Sequence, residues 1–336
     1  LPISRVSKPV SATSLKRRGD VKHGHRRPKR LSGRGLGEND LMLAALFEKD
    51  FDRYFAAVGG GRPLWLFVHV PKTAGSSLTA EAASILQPGF NIDIDHTDTT
   101  RTYQVKFDAS VQAFIDAQAA QKYRFATGHI MTRHVETIRA AVPDLRCFTM
   151  LRAPIARLVS DYHYQRSSMN TAQAQFIATT PSLEAYVARP HVHNKIALHL
   201  APRPMALAGD VGACVDHIMA NYAFVGLQET YPLSLRVLTT LMGEQRRPHA
   251  KVRVNTDIQD RAVPPDLEAH LRTLNAVDIG IFKVFQGKWR MIREDLLEYM
   301  KKKAVLFFKK EPKNFYSALG VVSQCLAWVG VPPART

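Results

Sequence analysis

The chain has 336 residues, 46% of them hydrophobic, with 46 Lys and Arg against 29 Asp and Glu for a net charge of +17. That apolar content excludes wholesale disorder, and the length suits one α/β domain with tails as well as two average domains. The 3 cysteines, Cys147, Cys214 and Cys325, include no close pair, which excludes a disulfide framework and a cysteine-built structural zinc site and points to a reducing, cytoplasmic setting.

Residues 1–40 hold 11 Lys and Arg against 3 acids, a net of +8 that leaves +9 for the rest. This stretch has no aromatic residue and few large aliphatic ones, too little apolar surface to offset the entropy of ordering, so it reads as a disordered basic arm. Its run from Arg26 to Arg30 suits a solvated tail or the surface of an anionic membrane or polymer, and no apolar centre follows it as in a signal peptide. Residues 41–61 read as one amphipathic helix and a linker. Phe47, Phe51, Tyr54, Phe55 and Val58 recur at three- and four-residue steps, Asp40 stands ready to cap, and Gly59-Gly60-Gly61 ends the run.

Residues 62–300 carry the main domain. The near-continuous apolar run Leu64–Val70 predicts a strand buried on both faces, as in a parallel sheet. Similar strands are expected over 123–127, 145–151 and 222–227, each followed by a helical pattern. In the pattern after the last, Leu235, Leu238, Leu241 and Met242 share one face and Gly243 supplies a stop. Strands alternating with helices predict a doubly wound α/β fold whose ligand sits at the carboxyl ends of the strands. A last helical region starts near Pro264. The tail, 301–336, combines lysines with the mostly apolar stretch Phe315–Val331, and reads either as a helix docked on the domain or as an interfacial anchor at an anionic membrane. Residues 90–120 and 165–205 show no legible pattern.

The chemistry stands at two strand ends. After the first strand, Pro71-Lys72-Thr73-Ala74-Gly75-Ser76-Ser77-Leu78 leads into a helix. Amides at a helix start face an anion, a glycine lets the backbone approach it, hydroxyls add hydrogen bonds and Lys72 adds a full charge. The nucleotide-triphosphate loop needs its Lys directly after a Gly, whereas Lys72 precedes Gly75 by three residues. No later strand ends in an acid suited to magnesium, which disfavours a metal-dependent kinase. The strand over 145–151 ends instead in Arg152-Ala153-Pro154, with Ser160 eight residues after Arg152. An Arg at a strand end and a hydroxyl two turns into the next helix suit a second phosphate. Together the loops imply a ligand with two well-separated anionic groups.

The segment from Phe67 to Leu78 resembles the 5′-phosphosulfate loop of sulfotransferases that use 3′-phosphoadenosine 5′-phosphosulfate (PAPS), in particular the carbohydrate O-sulfotransferase branch that includes heparan 2-O-sulfotransferase and bacterial relatives. Leu151 to Pro154, through Arg157 to Ser160-Asp161-Tyr162, resembles that family's 3′-phosphate motif. Phe224 to Glu229 and Asn275 to Asp278 match in order, so the likeness spans about residues 62–292. It departs at Ala153, where the family usually has an acidic residue or Asn that caps the helix, and losing such a cap costs about 1 kcal/mol.

The resemblance implies a PAPS-dependent sulfotransferase that needs no metal and acts on a carbohydrate or glycolipid hydroxyl. Lys72 would donate to the leaving oxygen; Thr73, Ala74, Gly75, Ser76 and Ser77 would hold the 5′-phosphosulfate; Arg152 and Ser160 would hold the 3′-phosphate. Two bases stand open for the acceptor proton. His129, just after the strand over 123–127, lies in a Gly-His pair that resembles the catalytic-histidine segment of the 2-O branch; Glu81 on the first domain helix is the second. Arg133, His134 and Arg166 are candidates for a basic acceptor cleft, and Arg253 and Asn255 for the nucleotide. His69 reads as structural, and His191, His193 and His199 as loop residues rather than metal ligands. A nucleotide kinase on a related fold and a non-catalytic polyanion binder are the competing readings, with no specific nucleic-acid partner expected.

Overall fold

The computed structural model describes residues 42–95, 98, 100–244 and 263–310, with side chains up to residue 303. The basic arm, most of the C-terminal tail, Arg253 and Asn255 lie outside the described residues. In chain order the elements are α1 (Met42–Phe47), α2 (Phe51–Gly59), β1 (Leu64–Val68), α3 (Gly75–Ile85), β2 (Gly89–Ile92), α4 (Tyr103–Gln121), β3 (Phe125–Gly128), α5 (Thr132–Ala141), β4 (Leu145–Leu151) and α6 (Pro154–Gln165). There follow α7 (Gln173–Thr179), α8 (Leu183–Val187), α9 (Lys195–Leu200), α10 (Arg203–Ala208), α11 (Val211–Asn221), β5 (Phe224–Leu227), α12 (Tyr231–Leu241), α13 (Pro265–Leu274) and α14 (Ala276–Lys310).

The apolar runs become the strands of one parallel sheet, ordered β2-β3-β1-β4-β5, with every residue of β1 buried. β1 is the central strand, and Val68 at its end lies opposite Gly128 at the end of β3. The connection leaving β1 runs toward β2 on one side, while that leaving β4 runs toward β5 on the other. Connections that diverge from neighbouring strands leave a crevice at the strands' carboxyl ends. At that end of the sheet the Thr149 hydroxyl of β4 donates to the Val68 carbonyl of β1 at 2.8 Å, tying the two central strands.

The expected single helix over 41–61 is two. Lys49 takes a left-handed φ of 66°, which breaks the helix, and α2 starts afresh with Asp50, not Asp40, capping the Arg53 amide at 3.2 Å. α14 runs on past residue 300 to Lys310 and lies against β5, where the Trp289 indole donates to the Val225 carbonyl at 2.8 Å. The Asn275-to-Asp278 motif at its start is a clasp on α9. The Asp278 carboxylate accepts the Ile196 and Ala197 amides at 2.9 and 2.8 Å, and Asn275 accepts the Asn194 amide at 3.1 Å. Burial pushes the Asp278 carboxyl up to about 6 against those amides, Arg157 and Lys195. A smaller apolar cluster of Leu158, Tyr162, Tyr186, Val187, Val192 and Leu271 seats α6.

Candidate functional site

The loop between β1 and α3 turns through two left-handed residues, Lys72 at φ 70° and Ala74 at φ 65°. Such backbone costs an L-residue about 1–3 kcal/mol and persists where the surroundings enforce it, as at ligand sites. The buried Thr73 hydroxyl donates inward to the Val70 carbonyl at 2.8 Å, so this side chain braces the loop, leaving its amide as the group available to an anion. Gly75 meets a steric demand rather than a conformational one. A Cβ there would lie 1.7 Å from His69 Nε2, so the imidazole packs directly on the first turn of α3. Ser76 and Ser77 are half-buried in that turn.

The second loop meets the first. The Arg152 guanidinium donates through Nη1 to the Lys72 carbonyl at 3.3 Å, so the two loops touch at the carboxyl ends of β1 and β4. Ser160 and Tyr164 stand four residues apart on α6 and therefore on one face. Tyr164 presents its ring to the Lys72 ammonium, with Nζ 3.9 Å from the centroid. Ala153 supplies no side-chain cap, yet the Glu229 carboxylate reaches across from the end of β5 and accepts the Ala153 amide at 2.7 Å. The positive end of α6 thus keeps an acidic partner, brought from 76 residues away. Arg157 is buried and donates to the Val192 carbonyl at 3.3 Å, with Asp161 3.8 Å away. It holds the fold behind the site.

His129 stands just beyond β3, half-buried, with its ring centroid 4.2 Å from that of His69. Its Nδ1 lies 2.9 Å from the His69 carbonyl. A carbonyl only accepts, so Nδ1 carries the proton and Nε2 keeps its lone pair. Burial holds the imidazole below its ordinary range against the raising influence of the His69 carbonyl, Asp93 and Asp161, with Lys195 lowering it further. The net effect favours the neutral imidazole. His69 is more than a strand residue: it lies past the end of β1 beside the His129 ring, stacked on Phe67 at 5.0 Å. Burial, then the charges of His129, His199 and Lys72, hold it well below the usual histidine range.

The other candidates have packing and partners of their own. Glu81 is buried on α3 near the start of α12, where its charge and, above all, burial raise the Tyr231 phenol. Arg133, His134 and Arg166 form no common cleft. Arg133 and His134 both engage Asp108 on α4, at 2.7 and 3.2 Å, while Arg166 donates to the Thr180 and Pro181 carbonyls. His193 lies 2.6 Å from the Val187 carbonyl, and His199 is buried with Nδ1 donating to the Ile130 carbonyl at 2.9 Å. Among the described residues no group of three or more His, Cys, Asp or Glu side chains converges as metal ligands would. No helix there is long and apolar enough to cross a membrane.

One residue escaped sequence reasoning. Lys195 opens α9 one turn before His199 and so shares its face toward the His129–Ile130 loop. Its charge acts on His129, and the charges of Arg157 and Asp161 on α6 act on it. The Lys195 ammonium is held below its ordinary range by burial, with Asp161 acting in the opposite sense. A lone Lys in an irregular stretch carries no signal of this.

No protein-family model and no curated protein sequence matches the chain. Solved structures that it matches include a sulfotransferase from Alicyclobacillus acidocaldarius, at 18% identity over 69% of this chain and 100% of the other with a TM-score of 0.40. Another is mouse sulfotransferase SULT7A1 complexed with PAP, at 16% identity over 71% of this chain and 70% of the other with a TM-score of 0.31.

Proposed function

We propose that the chain is a PAPS-dependent sulfotransferase that moves a sulfuryl group to a hydroxyl of a carbohydrate or glycolipid acceptor. The observation that carries the reading is the contact of Arg152 with the Lys72 carbonyl, which brings the two candidate anion-binding loops together. The motif resemblance at both loops supplies the identity of the nucleotide, and that of the first loop and the Gly128-His129 pair the acceptor class.

As donor, PAPS supplies a sulfuryl group activated on a phosphate leaving group. Amides of the Thr73–Ser77 turn face its 5′ end, and Arg152 with Ser160 faces the 3′-phosphate. Lys72 stabilises the charge that builds on the bridging oxygen as the sulfur–oxygen bond to it breaks. His129 takes the acceptor's proton at Nε2 as the new oxygen–sulfur bond forms. Catalysis is then mainly positioning and charge stabilisation.

Calorimetric titration with PAP, the product nucleotide, tests the reading. Wild-type protein binds it, and Arg152→Ala weakens binding about ten- to hundred-fold through loss of charge-assisted hydrogen bonds. Lys72→Ala abolishes turnover of PAPS in the presence of acceptor. Absence of PAP binding, or hydrolysis of ATP with magnesium in its place, sinks the reading.

A further inference from the structure

A lysine that stabilises a leaving group has two requirements that pull against each other. Its long side chain must be held at one place, because a flexible ammonium loses entropy each time it engages. It must also keep its full charge, which a neighbouring carboxylate would offset. An aromatic face meets both, because the ring quadrupole attracts the cation without neutralising it or consuming its N–H donors.

The structure places such a face at Lys72. The Tyr164 ring centroid is 3.9 Å from Nζ, well inside the range of a cation–π contact. Tyr164 lies one turn beyond Ser160 on the same face of α6, and Arg152, just before that helix, grips the Lys72 carbonyl. The loop is therefore held at two points from the segment that runs from Arg152 into α6, its backbone by Arg152 and its ammonium by the Tyr164 ring. Tyr164 is half-buried, so the contact is partly shielded from solvent.

We propose that Tyr164 is a positioning residue for Lys72, its ring face holding the ammonium in the donor crevice so that the charge is in place before the nucleotide arrives. The proposal rests on the reading of Lys72 as the donor-side cation. It makes the aromatic face, not the phenol hydroxyl, the working part of Tyr164. It also gives α6 a second task beside the 3′-phosphate: aligning the two ends of one ligand.

The test compares Tyr164→Phe, which keeps the face, with Tyr164→Leu and Tyr164→Met, which remove it at two different volumes. The first readout is the ε-methylene resonance of Lys72 in full-length protein labelled with carbon-13 at lysine ε-carbons, identified by its loss in Lys72→Arg. Ring-current shielding moves it upfield in wild type and in Tyr164→Phe, and it returns to the exposed-lysine position in both aliphatic variants. The second readout is conversion of PAPS to PAP and inorganic sulfate with water as acceptor. kcat falls roughly three- to thirty-fold in the aliphatic variants and recovers most of its value in Tyr164→Phe, while PAP affinity stays within about threefold. An unshielded Lys72 in wild type overturns the proposal, as does an equal loss in Tyr164→Phe and Tyr164→Leu. If Lys72→Ala retains PAPS turnover, it is the donor reading that fails. If Lys72→Ala loses turnover and the aliphatic Tyr164 variants change neither resonance nor kcat, the role of Tyr164 alone is refuted.

Discussion

The two sides of the crevice are built in different ways. The proposed donor side is built on contiguous backbone segments: a left-handed turn at the end of β1 that runs into the first turn of α3, and a second strand-to-helix loop that touches the first through one arginine. The proposed acceptor side rests on side chains, with His129 past the end of β3 and Lys195 at the start of α9 coming from separate parts of the chain. A site made of backbone needs only a short contiguous segment to be specified. A site made of side chains needs the whole fold to deliver them, so its charge balance is where single substitutions act most selectively.

The sharpest break in this comparison comes at His129. His129→Ala lowers the rate about 10²- to 10⁴-fold, the usual worth of a general base, with PAP affinity in calorimetry unchanged. Glu81→Ala, which empties a buried position on α3, appears in thermal unfolding and leaves the pH–rate profile in place. The opposite pattern would move the base to Glu81.

Gly75→Ala joins the two sides. The added methyl must displace the His69 ring, which is wedged against Phe67 and His129, at a cost of about 1–3 kcal/mol. Thermal unfolding and PAP titration should both register it, whereas Ala74→Gly, at a left-handed position, should raise stability by up to about 1 kcal/mol. Equal effects at 74 and 75 would refute the division between conformational and steric demand.

Lys195→Met tests the acceptor-side charge balance. The Lys195 charge lowers His129, so its removal raises the imidazole's affinity for a proton. A general base works when deprotonated, so the acid limb of kcat/KM moves to higher pH, with PAP affinity unaltered. An unmoved limb would place Lys195 too far from His129 to matter. The smallest effect is expected at Glu229→Ala, which takes the acidic partner from the start of α6 and costs about 0.5–1 kcal/mol in chemical denaturation.

Most of the sheet was legible because buried parallel strands are short apolar runs; β4 matches its predicted limits, 145–151, residue for residue. β2 was not, since an edge strand of Gly89-Phe90-Asn91-Ile92 has only two apolar residues and one buried face. The 19-residue α4 was hidden for a related reason: it buries only Phe107, Val111 and Phe114. At the site, Lys72 and Arg152 were readable from loop chemistry at two strand ends. The inward turn of the Thr73 hydroxyl, the dependence of Gly75 on His69, and Glu229 standing in for the cap missing at Ala153 were not, because each depends on a neighbour that only folding supplies.

By itself, then, the amino-acid order determined the α/β class, the central strands and the two strand-end loops as candidate anion sites, because those depend on local patterns of burial, turn and charge. Only the tertiary structure decided that Arg152 reaches the Lys72 carbonyl, that His129 turns Nδ1 to the His69 carbonyl, and that Tyr164 meets the Lys72 ammonium. Such contacts join residues far apart in sequence, and they exist only after the parallel sheet has brought its strand ends together.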